Sequence, residues 1–187
     1  MACVAFAAGP FGFEKGMTKT QVVALLGADH VKTSNEPDLL KVTSAPNPYP
    51  LFEDYALMFS PTEGLLKIRA LSKDVGADAY GFAMKADFQE LQESLTAIYG
   101  SPSSAHDILL SGSMWTDPQY WMMGLLKKQR ILYSVWILKS AAANHVTTVQ
   151  LQAVGTSTDA GFLELDYEFE SFTEYVKGLK AKDAGVL

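Results

Sequence analysis

The feature that most constrains the fold is a strand–turn–strand pattern that occurs in each half of the chain. The first pattern runs DYALMFS (54–60), PTEG and LLKIRALSK (65–73), and the second runs VTTVQLQAV (146–154), GTSTDAG and FLELDYEF (162–169). Both are rich in strand-forming residues, and each turn ends on a glycine, Gly64 or Gly161. The two predicted hairpins indicate a mostly antiparallel sheet.

A helix signal precedes the first hairpin. Thr18 and Gln21 form a capping box three residues apart, and Gly27 suits the end of the helix. LLKVTS (39–44) then reads as a short strand before the hairpin.

The second half repeats this order. Asp87 and Glu90 resemble another helix start, and an apolar face follows at helical spacing before Gly100: Phe88, Leu91, Leu95 and Ile98. RILYSVWIL (130–138) predicts a strand that is buried on both faces. Ser171 and Glu174 predict a terminal helix that continues to about Lys182.

An echo between FGFEKGMTKTQVVALLGA (11–28) and YGFAMKADFQELQESLTAIYG (80–100) suggests an internal duplication. The two openings lie 69 residues apart, but the two turn glycines lie 97 apart, so the second unit carries 28 extra residues. Unit one is then 11–79, unit two is 80–187, and the insert is about 101–129. Residues 11–187 are expected to form a single globular domain. The predicted class is α+β, a mostly antiparallel sheet with helices on one face.

Composition narrows the function classes. With 21 acidic and 15 basic residues the formal net charge is −6, which disfavours a nucleic-acid surface. Cys3 is the single cysteine, so no intrachain disulfide and no thiolate metal cage can form. A run of about 18 apolar residues, the signature of a membrane-spanning helix, is not found in the sequence.

The N-terminal stretch MACVAFAAGPFG contains Ala5-Phe6-Ala7, the small-x-small pattern of a signal-peptidase site. We interpret residues 1–10 as the remnant of an export signal, which predicts a periplasmic or secreted protein. The alternative is an apolar first strand in a cytoplasmic protein.

Catalytic groups are not evident in the sequence. His30, His106 and His145 lack the short spacing of metal ligands, and Ser111-Gly-Ser113 lacks the surroundings of a hydrolase nucleophile. We therefore predict neither catalytic residues nor a metal or other cofactor, and we expect a protein that is not an enzyme.

An acidic row lies on the last predicted strand. Glu164, Asp166, Glu168 and Glu170 alternate with apolar residues, while Lys67 and Arg69 alternate in the same way on the first hairpin. If both hairpins join one sheet, the acidic and basic rows can share a face. The acidic row is interpreted as a solvated strand face, with cation binding as the alternative.

The insert is the strongest candidate for a binding site. Within ten residues it holds two of the three tryptophans and three of the seven methionines. Adaptable apolar and aromatic side chains of this kind are favoured where proteins bind partners. The predicted contact residues are Met114, Trp115, Tyr120, Trp121, Met122 and Met123. The alternative is that these residues pack a helix onto the sheet, with Thr116 or Asp117 as its cap and Pro118 in its first turn.

Several phrases resemble a group of small exported bacterial proteins of unknown function: AFAAGPFGFEKGM, PYPLFEDYALMFSPTEGLLKI and GSMWTDPQYWMMGLLKKQR. The helix entry GMTKTQVVALLG is also similar to those of the β-lactamase inhibitor protein and the small outer-membrane assembly lipoproteins. These resemblances imply export and a helix-plus-antiparallel-sheet architecture, and they imply no activity or site residues.

The sequence therefore predicts a non-catalytic envelope protein that binds a protein partner through the insert. The alternative is a module that binds a small apolar ligand or lipid, and an enzyme of unknown type ranks third. Neither a nucleic-acid partner nor a membrane span is expected.

Overall fold

The structure is a computed structural model that describes residues 9–32, 34–76, 78–138 and 144–184. Within these residues the chain forms an antiparallel sheet of eight strands with helices packed on one side, which confirms the predicted α+β class. The strands are β1 Val31–Lys32, β2 Leu39–Val42, β3 Phe52–Ser60, β4 Gly64–Ser72, β5 Ser104–Leu109, β6 Arg130–Ile137, β7 Val146–Gly155 and β8 Gly161–Phe169. The helices are α1 Lys19–Leu26, α2 Phe82–Tyr99, α3 Trp121–Leu126 and α4 Phe172–Ala184.

The strand order divides the sheet into two halves of four strands each, and in each half the strands follow one another in chain order from the edge to the centre. From one edge to the other it is β1-β2-β3-β4-β8-β7-β6-β5, so the first four strands fill one half and the last four fill the other. Both predicted hairpins form, as β3–β4 and β7–β8. Their second strands, β4 and β8, pair at the centre. The sheet is thus continuous across the predicted boundary between the units, and the duplication itself stays a prediction.

Helix α1 begins as its capping box predicts. The Thr18 hydroxyl accepts a hydrogen bond from the Gln21 N–H at 3.2 Å, and the Gln21 side chain accepts one from the Thr18 N–H at 2.8 Å. Two N–H groups at the start of the helix, which have no backbone partner within it, are hydrogen-bonded in this way. Gly27 caps the other end.

Helix α2 begins five residues before Asp87, so the start predicted at Asp87 and Glu90 is wrong. Gly81 is the N-cap, and the Asp78 carboxylate accepts hydrogen bonds from the N–H groups of Tyr80 and Phe82. A carboxylate just before a helix accepts hydrogen bonds from N–H groups that have no partner within the helix. Its negative charge also interacts favourably with the positive end of the helix dipole.

The buried face of α2 also differs from the prediction at one end. Phe88, Leu91 and Leu95 are buried as expected, but Ile98 is 70% exposed and Met84 is buried instead. Tyr99, four residues after Leu95, packs against the core in place of Ile98, which faces solvent at the end of the helix.

Strand β6 is not buried on both faces as predicted. Leu132, Ser134 and Trp136 are buried, whereas Ile131 and Ile137 on the other face are 36% and 65% exposed. The Ser134 hydroxyl donates to the Gln92 side chain of α2 at 2.6 Å, so α2 covers one face of β6. The prediction failed because the exposed face of β6 also carries isoleucines, so the sequence of the strand resembles that of a strand buried on both faces.

The predicted insert 101–129 consists of two parts. Its first part contains strand β5, which pairs with β6 at the edge of the sheet. The rest, 110–129, connects β5 to β6, whereas residues 33–38 alone connect β1 to β2. These connections differ by 14 residues, so half of the 28-residue excess lies in the β5–β6 connection, which contains α3, and a further 10 residues lie in α2, which has 18 residues where α1 has 8.

The core lies between the helices and the sheet. Its largest fully buried side chains include Trp136, Tyr55, Phe13 and Phe169. Burying a side chain of this size stabilises the fold by roughly 2–3 kcal/mol. The Trp136 indole N–H donates to the Gly100 carbonyl at 2.8 Å, which ties β6 to the end of α2.

Helix α4 follows β8, as predicted from Ser171. The Lys67 ammonium lies 5.0 Å from the centre of the Phe172 ring, and the Tyr175 hydroxyl donates to the Asp38 carboxylate at 2.9 Å. In the described part of the chain, helices long and apolar enough to cross a membrane are not found. Residues 1–8 of the predicted signal remnant, including Cys3, lie outside the described residues.

Candidate binding surface in the β5–β6 connection

The β5–β6 connection turns back on itself before it becomes helical. The Ser113 hydroxyl accepts from the Trp115 N–H at 3.2 Å and donates to the Gln129 side chain at 2.8 Å. Asp117 then caps one turn of 3-10 helix, Pro118–Tyr120, by accepting from the Gln119 N–H at 3.0 Å. Helix α3 continues from that turn, so the predicted cap at Asp117 and the predicted Pro118 position are confirmed.

One side of α3 packs into the core. Trp121 and Met122 are 4% and 1% exposed, and Leu125 is buried on the same side. Gly81 of α2 lies against the Trp121 ring, since a Cβ on Gly81 would come within 2.1 Å of ring carbon Cε3. Trp121 and Met122, two of the six predicted contact residues, therefore offer no surface to a partner in this structure.

Two cations flank the buried Trp121 ring. The Lys85 ammonium lies 4.5 Å from the ring centre, and the Arg130 guanidinium carbon lies 5.7 Å from it. Burial lowers the pKa of Lys85, with Asp107 opposing the shift and Arg130 adding to it. This cluster links α2, α3 and β6, and it fixes the β5–β6 connection to the rest of the fold.

The other four predicted residues form the surface of the connection. Met114 is 74% exposed and Tyr120 is 40% exposed, while Trp115 and Met123 are partly buried. The Trp115 and Tyr120 rings pack edge to face with their centres 5.6 Å apart. We call Met114, Trp115, Tyr120 and Met123 the insert surface. It is an exposed apolar group on a well-anchored support.

Sequence reasoning missed a second exposed apolar group beside it. Ile108 of β5 and Ile131 of β6 lie directly opposite each other and are 42% and 36% exposed, and Leu110 just after β5 is 40% exposed. Only the pairing of β5 with β6 brings these residues together. The single signal available was the apolar run Ile108-Leu109-Leu110, which has no strand period.

The acidic and basic rows meet at the centre of the sheet. Arg69 donates two hydrogen bonds of 2.8 Å to Asp166 and lies 3.0 Å from Glu164. Lys67 lies 2.7 Å from Asp166 and 3.0 Å from Glu168. The rows therefore share a face, as expected if both hairpins join one sheet.

The interpretation of this acidic row as a solvated face is wrong for its first two members. Glu164 and Asp166 are only 7% and 3% exposed. Burial, with Asp166 adding, raises the pKa of Glu164, while Arg69 opposes the shift. The Arg69 pKa is raised by its hydrogen bond to Asp166. Paired charges at this position join the two halves of the sheet.

Glu170, the last member of the acidic row, lies beyond the end of β8 and away from these pairs. Its carboxylate accepts from Lys15 at 3.0 Å and lies 3.2 Å from His145. These partners lower the Glu170 pKa, with the hydrogen bond from Lys15 as the largest cause.

The described residues do not bring the histidines into one cluster. His30 lies 3.2 Å from the Thr43 hydroxyl, His106 packs against the Tyr133 ring, and His145 contacts Glu170. Groups of three or more His, Cys, Asp or Glu side chains that could hold a metal ion are not found in this part of the chain.

Surface clefts are the concave features of the described structure. One, of about 410 Å³, lies between α2 and the edge of the sheet, and its lining mixes charged and amide side chains with apolar and aromatic ones: Lys85, Gln89, Gln92, Glu93, Asp107, Phe88, Ala105, His106, Leu132 and Tyr133. A second, also about 410 Å³, lies beside Tyr49, Leu51 and Leu91. Both are clefts open to solvent, unlike the enclosed sites that bury most of the surface of a small apolar ligand.

Comparison with protein-family models, curated proteins and solved structures finds no match to this chain.

Proposed function

We propose that this chain is a non-catalytic protein-binding module of the bacterial cell envelope, and that the insert surface is its contact site. The observation that carries the proposal is the exposure of Met114 and Tyr120 above a buried base of Trp121 and Met122. Exposed methionine and aromatic residues on an ordered support are typical of protein contact sites, because they bury a large apolar area and methionine adapts its shape to the partner.

The charges around the insert surface suit a partner that is acidic. Segment 101–138 contains three basic residues, Lys127, Lys128 and Arg130, and two acidic residues, whereas the whole chain carries −6. Lys127 and Lys128 are exposed at the end of α3. A local positive surface on an acidic protein steers acidic partners toward this site.

The envelope location is supported by the Ala5-Phe6-Ala7 pattern and by the resemblance of AFAAGPFGFEKGM to exported bacterial proteins. Fractionation of cells that express the natural gene would test it. Recovery of the protein in the periplasmic fraction is expected, and recovery with cytoplasmic markers alone would contradict it.

The binding proposal is tested by affinity capture from envelope extracts with three forms of the protein. These are the wild type, the double variant Met114→Ser/Tyr120→Ser, and the control Ile98→Ser, which changes an apolar residue on α2 that is 70% exposed, close to the 74% of Met114. Serine removes the apolar surface without adding charge. A partner that uses the insert surface should be recovered by the wild type and the control, and at least about tenfold less by the double variant. Equal recovery of every protein by all three forms would remove the insert surface as a contact site.

A further inference from the structure

Strand β5 forms one edge of the described sheet and pairs on one side only. The Leu110 N–H donates to the Gln129 carbonyl at 2.7 Å, and 110 lies opposite 129 in the β5–β6 register. Because backbone groups alternate between the two sides of a strand, even-numbered residues of β5 bond to β6. The N–H and C=O groups of Ala105, Asp107 and Leu109 therefore point to the free edge.

This edge carries apolar side chains on the face opposite α2. Ile108, Leu110 and Ile131 are 42%, 40% and 36% exposed. Natural edge strands are usually short, charged, bulged or covered, because an apolar edge with free backbone groups recruits another strand. At the other edge, β1 is only two residues long. β5, with six residues, therefore offers a longer edge for pairing with another strand than β1 does.

We infer that β5 pairs with β5 of a second copy of this chain, in antiparallel register about a two-fold axis at Ile108. The two sheets would then form one continuous sheet. This inference is independent of the insert surface, because it rests on the edge of β5 and on Ile131 rather than on Met114 or Tyr120.

The register follows from the positions of the free backbone groups and of the charges. The free groups are odd-numbered on both copies, so an odd-numbered residue must lie opposite an odd-numbered one. An axis at Asp107 would place two Asp107 carboxylates directly opposite each other, which is unfavourable. An axis at His106 would place Ile108 opposite Ser104 and leave Leu110 beyond the paired strands.

An axis at Ile108 gives each exposed apolar residue an apolar or aromatic neighbour. Ile131 lies opposite Ile108 within one copy, so the two copies would align four isoleucines in one row across the junction. Leu110 of one copy would lie opposite His106 of the other, whose ring already packs 5.3 Å from Tyr133. Apolar cross-strand pairs of this kind stabilise antiparallel sheets.

The charges on the opposite face also fit this register. Asp107 would lie opposite Leu109 of the other copy, and Arg130 pairs with Asp107 within each copy at 2.5 Å. Since Arg130 lies opposite Leu109 in the β5–β6 register, it would come within reach of Asp107 of the second copy as well. Two aspartates and two arginines would then alternate across the junction, and like charges would not meet.

Sedimentation equilibrium tests the association. The wild type should show a monomer–dimer equilibrium, and Ile108→Lys should raise the dissociation constant at least about tenfold because an ammonium would enter the isoleucine row. The control Ile137→Lys changes a more exposed isoleucine outside the row and should leave the constant unchanged. Met114→Ser/Tyr120→Ser should also dimerise like the wild type. A wild type that stays monomeric at its highest soluble concentration would overturn the inference.

Cysteine cross-linking tests the register even if Ile108→Lys folds poorly. In a Cys3→Ser background, Ile108→Cys places two thiols at a non-hydrogen-bonded pair, about 4.5 Å apart between Cα atoms. Mild oxidation should give a disulfide-linked dimer. His106→Cys places the thiols four residues out of register, about 14 Å apart, and should stay monomeric. Cross-linking through residue 106 instead of 108 would refute the axis.

Discussion

Gly81 combines two separate constraints at one position. Its φ of 68° lies in the left-handed region, and a Cβ at this residue would come within 2.1 Å of the Trp121 ring. Replacing Trp121 by alanine removes the ring but keeps the left-handed backbone at Gly81. Gly81→Ala, made with and without Trp121, therefore separates the cost of the backbone conformation from the cost of the ring contact.

Gly81→Ala is therefore expected to destabilise the wild type more than it destabilises the Trp121→Ala variant. In that variant it should cost about 1 kcal/mol, the cost of a side chain in the left-handed region. In the wild type it should cost about 2–3 kcal/mol more, because the Trp121 ring must move from a packed site. Urea denaturation, followed by the fluorescence of the remaining tryptophans, measures both losses. Equal losses with and without Trp121 would show that the ring contact relaxes without cost.

The pairing of β4 with β8 brings oppositely charged side chains together where the two halves of the sheet meet. Three carboxylates on β8 meet two cations on β4, and Glu164 and Asp166 are buried among them. The excess of one negative charge, together with burial, favours the protonated form of Glu164. Its pKa is raised for these reasons.

Glu164→Gln should change how stability depends on pH. Because the pKa of Glu164 is higher in the folded state, its contribution is greatest below the unfolded pKa of 4.5 and is lost as pH rises through the folded pKa. Relative to the wild type, Glu164→Gln should therefore gain stability as pH rises from 4.5 to neutral pH. Urea denaturation across this pH range gives the difference.

The control for this prediction is Glu170→Gln, because the Glu170 pKa is lowered by Lys15. Its contribution is present above the unfolded pKa of 4.5 and is lost as pH falls through the folded pKa. The variant should therefore lose stability relative to the wild type as pH rises. Parallel pH profiles for both variants would rule out the assigned charge environments.

At the scale of the whole molecule, a single pair of strands, β4 and β8, joins the two halves of the sheet. β4 and β8 are aligned over five residue pairs, from Lys67–Glu168 to Leu71–Glu164. Core residues on both sides of this pair form one cluster, which includes Leu57, Ile68 and Leu151. A continuous core and sheet favour cooperative unfolding of the two halves.

Hydrogen exchange should show this cooperativity. The amides of Ile68 in the first half and Leu151 in the second are expected to exchange with the same free energy of opening in the wild type. Asp166→Asn leaves Arg69 without its bidentate partner and should lower both values equally, by up to about 3 kcal/mol. A decrease confined to one half would mean that the halves unfold separately.

Local patterns were sufficient for several parts of this structure. The capping box at Thr18 and Gln21, both hairpins and the Asp117–Pro118 helix start were predicted correctly, because each depends on residues that are neighbours in the chain. Alternation on β8 also predicted correctly that the acidic row and Leu163, Leu165, Tyr167 and Phe169 occupy opposite faces.

What the sequence by itself determined is therefore the α+β class, the order of the helices and of strands β2, β3, β4, β6, β7 and β8, and the residues that alternate on each hairpin strand. Only the tertiary structure decided that Trp121 and Met122 are buried while Met114 and Tyr120 are exposed, that α2 starts at Phe82, and that β5 forms a free edge. The physical reason is that burial, strand pairing and ion pairing depend on residues distant in the chain. A local pattern records which residues can be buried, but distant partners determine which of them are.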